Sequence, residues 1–217
     1  MEGQQAWRSL ADLARSRRMC RSFTDQPIDR HDLLDLVDVA SRAPSAGKTQ
    51  GLHILELTGP DRDRYWDITL SGERRASFAW PGLLRAPTLL IPFGDPEAYV
   101  RRYAEPDKAA TGLGGGVEAW STPYWLVDAS MATMSLLLDA HDRGLGTLLF
   151  GMFDHEPAIR EAFGVPNHLV AVGVVAIGYP DGADIPSGRS AQRPRRDAED
   201  IVMTPDRLAA GGHNISR

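Results

Sequence analysis

The stretch RRMCRSF, residues 17–23, places three arginines within five positions, and the small-residue stretch APSAGKTQ follows at residues 43–50. Asp29 is a helix-capping residue type, and the apolar positions that follow it recur at helical spacing. One helix is therefore predicted between the two stretches. Guanidinium groups are planar forks of donors that suit a terminal phosphate, and small residues let a backbone approach a ligand closely. Together these features predict a site for a phosphate attached to something flat.

Each stretch also has a plainer interpretation. Arg17 and Arg21 would project from one face if the first helix, predicted over residues 6–14, continued through them. The alternative is a solvated basic helix end that complements the helix dipole. A second arginine cluster at residues 193–196 favours the phosphate interpretation, because two basic clusters could converge on one anion. Residues 43–50 could equally be an ordinary turn that ends a helix.

The composition indicates a soluble globular protein. Its 217 residues suffice for one domain, and 42% hydrophobic and 24% charged residues are ordinary proportions. A net charge of -5 argues against nucleic-acid binding, which needs a basic excess over the binding face. Cys20 is the single cysteine, which suits a reducing compartment. The start of the chain does not resemble a signal peptide, and the apolar segment at residues 126–138 is too short for a membrane span, so a cytoplasmic protein is expected.

Helices and strands are interspersed without regular alternation, which favours an α+β fold over a doubly wound one. Strands are predicted for short apolar runs between turn residues, at residues 53–58, 88–93, 147–150 and 169–179. Helices are predicted where apolar residues recur every three or four positions, at residues 6–14, from 29 to near 44, 61–84 with a break near Gly72 and Pro81, 125–143 and 157–163. The helix at 125–143 is apolar on nearly all sides and is expected to be buried.

Two segments lack these patterns. Residues 94–118 contain two prolines and a glycine-rich run, which favours a long loop, and we expect this insertion to act as a lid. Residues 180–217 are polar and proline-containing, and they are predicted to form an extended C-terminal arm. Residues 1–217 as a whole are interpreted as a single domain.

Other chemistry has little support. The six histidines show no metal-ligand spacing, and no metal site is predicted. No Gly-x-Ser-x-Gly elbow is present, and the glycine run at residues 112–116 lacks the register of a dinucleotide fingerprint. Trp120 and Tyr124 would either line a pocket or serve as core or dimer contacts.

An ordered set of motifs resembles the FMN-dependent nitroreductase family. RRMCRSF is followed by a Pro-Ile pair, a predicted helix and APSAGKTQ, an order similar to the N-terminal signature of that family. Residues 128–147 resemble its long central helix, residues 148–168 resemble the segment beside the flavin, and residues 193–202 resemble its C-terminal phosphate-binding stretch. The resemblance covers most of the chain apart from residues 60–120.

The resemblance implies a three-layer fold with a central, mostly antiparallel sheet flanked by helices. It also implies an intertwined homodimer with FMN at the subunit interface. The residues implied to bind FMN are Arg17, Arg18, Met19, Arg21, Gly151, Met152 and Arg195 from one subunit, and Pro44, Ser45, Ala46, Lys48 and Gln50 from the other. Trp120 and Tyr124 are assigned to the substrate pocket.

The implied activity is hydride transfer from NADH or NADPH, through N5 of the flavin, to an electron-poor acceptor such as a nitroaromatic or a quinone. No side chain is expected to act as an acid or base. Met19 replaces a common serine, Lys48 replaces an asparagine, and Gly51-Leu52 replaces a Pro-Trp pair that would make a larger wall. These departures leave two alternatives open: non-reductase chemistry on the same scaffold, such as a flavin-fragmenting synthase, a dehalogenase or a metabolite dehydrogenase, and flavin binding without turnover.

Overall fold

The computed structural model describes residues 9–70, 72–184 and 193–209. The chain divides into two compact units, residues 1–184 and residues 185–217. The described part of the first unit contains the sheet and seven helices, and that of the second contains two short helices. The interpretation of the whole chain as one domain with an inserted lid and a C-terminal arm stays a prediction.

The strands form one antiparallel sheet in the order β1-β2-β5-β3, with β4 paired to β2. Their bounds are β1 Leu52–Thr58, β2 Thr88–Gly94, β3 Gly146–Phe150, β4 Val170–Ala171 and β5 Val174–Gly178. The longest pairing is β1 with β2, in which Leu52 lies opposite Gly94 and Thr58 opposite Thr88. The prediction of a mostly antiparallel sheet is confirmed.

The structure describes α-helices in both units. Their bounds in the first unit are α1 Leu10–Ser16, α2 Arg30–Ser41, α3 Gly59–Thr69, α4 Glu73–Ala76, α5 Pro96–Tyr103, α6 Tyr124–Asp142 and α7 Glu156–Phe163. Those in the second unit are α8 Ala198–Ile201 and α9 Pro205–Ala209. Asp29 caps α2 by accepting a hydrogen bond from the His31 N–H at 2.7 Å, as its position in the sequence predicts. No helix in the described residues is both long and apolar enough to cross a bilayer.

Both faces of the sheet are covered by helices. Successive side chains of a strand point to opposite faces, so neighbouring residues of β2 belong to different buried clusters. Leu89 and Ile91 of β2 belong to a buried cluster on one face that includes Trp66 of α3. Leu90 belongs to the cluster on the other face, which includes Leu36 of α2 and residues of α6. The sheet is therefore the middle layer of three, and the predicted α+β, three-layer fold class is confirmed. The homodimer stays a prediction.

The prediction of a long loop at residues 94–118 was wrong for the first part of this segment, which forms α5. Asp95 accepts a hydrogen bond from the Ala98 N–H at 3.0 Å, and Pro96 occupies the first helical position. An Asp-Pro pair is a turn signal in sequence, but the same pair is also a cap followed by a favourable first helical residue. Short 3-10 turns follow between residues 109 and 119.

The predicted strand at residues 169–179 is two strands separated by a break at Val172 and Gly173. The Val172 N–H donates to the carbonyl oxygen of Pro92 at 2.9 Å, and Gly173 has φ +149°. A Cβ on Gly173 would lie 2.8 Å from the carbonyl oxygen of Phe150, so only glycine fits this close approach. An apolar run alone does not reveal such a break.

Candidate functional site

The arginine stretch at residues 17–23 is extended, and the sheet fixes its backbone. The Cys20 N–H donates to the Thr147 carbonyl oxygen at 2.8 Å, and Met19 pairs with Thr147 in a parallel bridge. Phe23 pairs with Pro180 and is 0% exposed. The idea that α1 would continue and align Arg17 with Arg21 on one helical face was wrong, because α1 ends at Ser16.

The three arginine side chains have different surroundings. Arg17 Nη1 lies 3.6 Å from the sulfur of Met19. Arg18 Nη1 donates to the carbonyl oxygens of Arg15 and Arg17 at 2.6 and 2.9 Å, at the end of α1. The guanidinium of Arg21 lies over the Trp80 ring, 5.7 Å from its centroid, and lines a cavity.

That cavity, the aromatic cavity, has a volume of about 420 Å³. It is lined by Arg21, Tyr65, Trp66, Thr69, Leu70, Phe78, Trp80, Leu83, Leu148, Leu149, Phe150, Gly151, Met152, Phe153 and His155. Three predicted cofactor residues, Arg21, Gly151 and Met152, are therefore brought together. The Trp66 and Phe150 rings are stacked, with centroids 5.9 Å apart and planes at 11°.

The mouth of the aromatic cavity includes Phe153. Its side chain is 84% exposed and its φ is +49°, a region that residues with a Cβ seldom adopt. A Cβ on Gly151 would lie 3.0 Å from the Phe153 ring, so a larger residue at position 151 would displace that ring. The space left by the missing side chain of Gly151 is thus filled by the exposed Phe153 ring.

The lining suits a flat ligand that carries oxygen acceptors. Trp66 is 4% exposed, and its indole N–H has no hydrogen-bond partner among the described residues. Such an unpaired buried donor is uncommon, and an acceptor in the cavity would reach it only after the surrounding side chains had moved. The flat apolar walls and the Arg21 guanidinium fit an isoalloxazine ring with its carbonyl oxygens, and thus they fit FMN.

The turn at residues 44–50 has an unusual backbone. Gly47, Lys48 and Gln50 have φ of +63°, +54° and +57°. The Gln50 N–H donates to Ser45 Oγ at 3.0 Å, and Thr49 Oγ1 donates to the Ala46 carbonyl oxygen at 2.6 Å. Two residues with a Cβ in the left-handed region cost free energy, so neighbouring groups must hold the turn in this form.

Side chains from α5 and α6 supply that support. Asp128 Oδ2 accepts from the Ala46 N–H at 2.7 Å and from the Tyr99 hydroxyl at 2.6 Å. Arg102 Nε donates to the Gly47 carbonyl oxygen at 2.9 Å. Asp128, Tyr99 and Arg102 are not among the site residues predicted from the sequence. One signal was available for Asp128, since it is an isolated acid in the apolar pattern of α6.

Pro44, Ser45 and Gln50 line a second cavity, the α2–α6 groove, of about 430 Å³. It is lined by Arg30, Leu33, Leu34, Val37, Ala40, Ser41, Ala43, Pro44, Ser45, Gln50, Gly51, Leu52, Ile54, Glu56, Leu90, Tyr99, Asp128, Ala129 and Ala132. Lys48 is exposed and Ala46 is partly buried. Within one chain, three residues of each predicted group thus line a different cavity, and neither lining includes Arg17, Arg18, Met19, Ala46 or Lys48.

The departure at Gly51 has a structural reason. A Cβ on Gly51 would lie 2.7 Å from Cε2 of Tyr99. The Tyr99 ring therefore occupies the space that a larger residue 51 would need. Leu52 begins β1 and lines the α2–α6 groove.

Trp120 lies in an aromatic cluster. It is buried against Tyr103, Tyr99 and Trp125, with ring centroids 4.7, 5.7 and 6.1 Å away, and its indole N–H donates to the Leu113 carbonyl oxygen at 3.0 Å. Tyr124 is exposed at the start of α6. The core interpretation of Trp120 accounts for these contacts, and the assignment of both residues to a substrate pocket stays a prediction.

The remaining predicted phosphate contact, Arg195, belongs to the second unit, where it is exposed just before α8. Its role stays a prediction. In the ranges that the structure describes, no group of three His, Cys, Asp or Glu residues is arranged to hold a metal ion. The three-layer fold and the aromatic cavity beside Arg21 thus define an α+β protein with a site suited to a planar, anionic ligand.

Comparison with known proteins identifies the family. The model of the nitroreductase family matches residues 14–179, and the chain belongs to this family. A 4-nitrobenzoate reductase from Nocardioides sp. is 31% identical over 196 residues, which cover 78% of this chain and 79% of that protein. An FMN reductase (NAD(P)H) from Bacillus subtilis is 26% identical over 186 residues, which cover 85% and 68%.

Comparison with solved structures shows the fold of the same family. Nitroreductase CinD from Lactococcus lactis, solved in complex with chloramphenicol, aligns with a TM-score of 0.67 over 90% of this chain and 99% of its own, at 17% identity. The predicted family is confirmed, and the names of the relatives support a general oxidoreductase role with a flavin and a nicotinamide at family level.

Proposed function

We propose that this chain is an FMN-dependent NAD(P)H oxidoreductase that acts on electron-poor acceptors such as nitroaromatics or quinones. The observation that carries the proposal is the aromatic cavity, in which Arg21, Gly151 and Met152 lie together with stacked aromatic walls. The chemistry that bound FMN supplies is two-electron transfer from a nicotinamide to the acceptor.

The residues of the cavity bind and orient the ring. Trp66 and Phe150 offer planar apolar surface, and Arg21 offers a fixed positive charge with a fork of donors. The Phe153 ring packs against Gly151, and because this ring is exposed, it is proposed to move aside when the flavin ring binds. No side chain is assigned as an acid or base. Arg17, together with the backbone of Arg18 and Met19, is proposed to contact FMN, and Arg195 is proposed to contact its phosphate.

The second half of the site is proposed to come from a partner copy in a homodimer. Pro44, Ser45 and Gln50 line the α2–α6 groove and not the aromatic cavity of the same chain. Two copies of the chain would bring one group from each to a shared site. Apolar surface on α6 supports such a dimer, because Met131 and Met134 are exposed beside Leu126 and Val127.

The choice of acceptor is proposed to depend on the segment after α5, residues 104–119. Its 3-10 turns contact the aromatic cluster through the hydrogen bond between Trp120 and the Leu113 carbonyl oxygen. The relative named 4-nitrobenzoate reductase makes 4-nitrobenzoate the first acceptor to test.

The test begins with the visible spectrum of the purified full chain. We expect a flavin band that bleaches anaerobically with NADH or NADPH and returns when 4-nitrobenzoate is added. The Arg21→Ala variant should bind FMN about tenfold to a hundredfold more weakly, because a charged hydrogen-bond donor is lost.

The matched control for this variant is Arg42→Ala, which removes an exposed arginine paired with Asp38 at 2.9 Å. It should leave FMN binding unchanged. A chain that binds no flavin would contradict the proposal. A bound flavin that neither nicotinamide bleaches would leave binding without turnover, or non-reductase chemistry, as the function.

A further inference from the structure

Asp128 is a buried acid whose role the proposed function leaves unassigned. It is 6% exposed and lies on α6 between the apolar residues Val127 and Ala129. Burial of a carboxyl group is unfavourable unless hydrogen bonds compensate it. Both of its hydrogen bonds are accepted by one oxygen, Oδ2, from the Ala46 N–H and the Tyr99 hydroxyl. Its side chain is therefore directed at the turn of residues 44–50.

The turn depends on such contacts. Lys48 and Gln50 hold positive φ values, which are unfavourable for residues with a Cβ. The Ser45 hydroxyl accepts from Gln50 within the turn, but that contact is local and does not fix the turn against the protein. Asp128 attaches the turn to the central helix at Ala46.

Tyr99 fixes the acceptor oxygen. Its hydroxyl donates to Asp128 Oδ2 at 2.6 Å and lies 3.5 Å from Ser45 Oγ. Its ring is buried in contact distance of Gly51 and within the aromatic cluster of Trp120. Because the Tyr99 hydroxyl is fixed, the Asp128 carboxyl group has one preferred orientation. In that orientation its Oδ2 accepts the hydrogen bond from the Ala46 N–H.

We propose that Asp128 is a positioning residue of the flavin site, which holds Ser45, Ala46 and Gln50 in the geometry in which they contact FMN. The inference rests on the proposed function, because it takes this turn as part of the cofactor site. The role proposed for Asp128 is exerted through the turn backbone, at the Ala46 N–H.

The experiment compares the Asp128→Ala, Asp128→Asn and Tyr99→Phe variants of the full chain. Affinity for FMN is measured by quenching of flavin fluorescence, and the visible spectrum of the bound flavin is recorded at saturating FMN. We expect Asp128→Ala to weaken FMN binding about tenfold or more, since it leaves the Ala46 N–H and the Tyr99 hydroxyl without their acceptor. Asp128→Asn keeps an acceptor oxygen and should recover part of the affinity.

The spectrum separates positioning from folding. A variant that is only less stable binds less flavin, but its bound flavin absorbs as in the wild type. We expect a shifted band in Asp128→Ala and a smaller shift in Tyr99→Phe. The matched control is Thr133→Val, because Thr133 is another buried polar residue of α6, and its hydroxyl donates to the Ala129 carbonyl oxygen within the helix. It should bind FMN with wild-type affinity and spectrum.

The outcomes are distinct. Wild-type affinity and spectrum in both Asp128 variants would overturn this inference alone, as would an equal loss in Thr133→Val. A wild-type chain that binds no FMN would overturn the proposed function and this inference with it. If Asp128→Ala does not fold, Asp128→Asn and Tyr99→Phe decide the result.

Discussion

The arginine stretch at residues 17–23 and the turn at residues 44–50 are held in place by different means. Backbone hydrogen bonds to the sheet and the buried Phe23 fix the stretch. Side chains from distant elements, above all Asp128 and Arg102, fix the turn. The stretch is therefore part of the fold, whereas we expect substitutions that release the turn to leave the fold intact.

The largest effect is expected from a substitution that disrupts the arginine stretch at residues 17–23. Phe23→Ala removes a fully buried ring and should lower the free energy of unfolding by about 3–5 kcal/mol. Urea unfolding followed by circular dichroism measures this loss, and FMN binding should fall with it. If Phe23→Ala kept the stability of the wild type but lost FMN binding, the stretch would serve the cofactor site and not the fold.

A smaller effect is expected at the turn. In Gly51→Ala the added Cβ would lie 2.7 Å from the Tyr99 ring, which must move and disturb its bond to Asp128. Overpacking of this kind costs about 1–3 kcal/mol. Gly115→Ala is the control, since a Cβ there meets no atom within 4 Å. Thermal unfolding gives the stability of both variants, and a titration gives their affinity for FMN. Equal stability and equal FMN affinity in the two variants would contradict this explanation of the turn.

The smallest effects are expected in the pH dependence of stability. The pKa of Asp181, beside the stretch, and the pKa of Tyr99, beside the turn, are shifted in opposite directions. Hydrogen bonds from the Ala183 N–H and the Ser22 hydroxyl, together with Arg85, hold the pKa of Asp181 below its ordinary value. Burial, and then the hydrogen bond to Asp128, raise the pKa of Tyr99 well above its ordinary value.

Asp181 beside the stretch therefore contributes stability above the ordinary aspartate pKa of about 4, and this is lost as the pH falls further. Tyr99 contributes stability below the ordinary tyrosine pKa of about 10, and this is lost as the pH rises further. The slope of the unfolding midpoint against pH should become shallower on the acidic side in Asp181→Asn and on the alkaline side in Tyr99→Phe, while groups such as Asp107 and Tyr65 keep part of each slope. Unchanged slopes would contradict the two assignments.

The sequence predicted what local patterns determine. The helix after Asp29 and the strands at β1, β2 and β3 follow from caps and apolar runs of ordinary length. The contact between Ala46 and Asp128 joins residues 82 positions apart, and no local pattern indicates it. The break at Gly173 likewise depends on the approach of Phe150 from another strand. Parts of the site held by the backbone were therefore predictable, and parts held by distant side chains were not.

Each flavin site is proposed to combine Arg21 of one copy with the turn at residues 44–50 of another. A mixing experiment tests this directly, with Arg21→Ala as one partner and a Lys48→Ala, Gln50→Ala double variant as the other. Each variant alone should bind FMN weakly. When the two are co-expressed, mixed dimers should contain one intact site, and tight FMN binding should return. Binding no better than that of either parent, in mixed dimers shown to have formed, would contradict the claim.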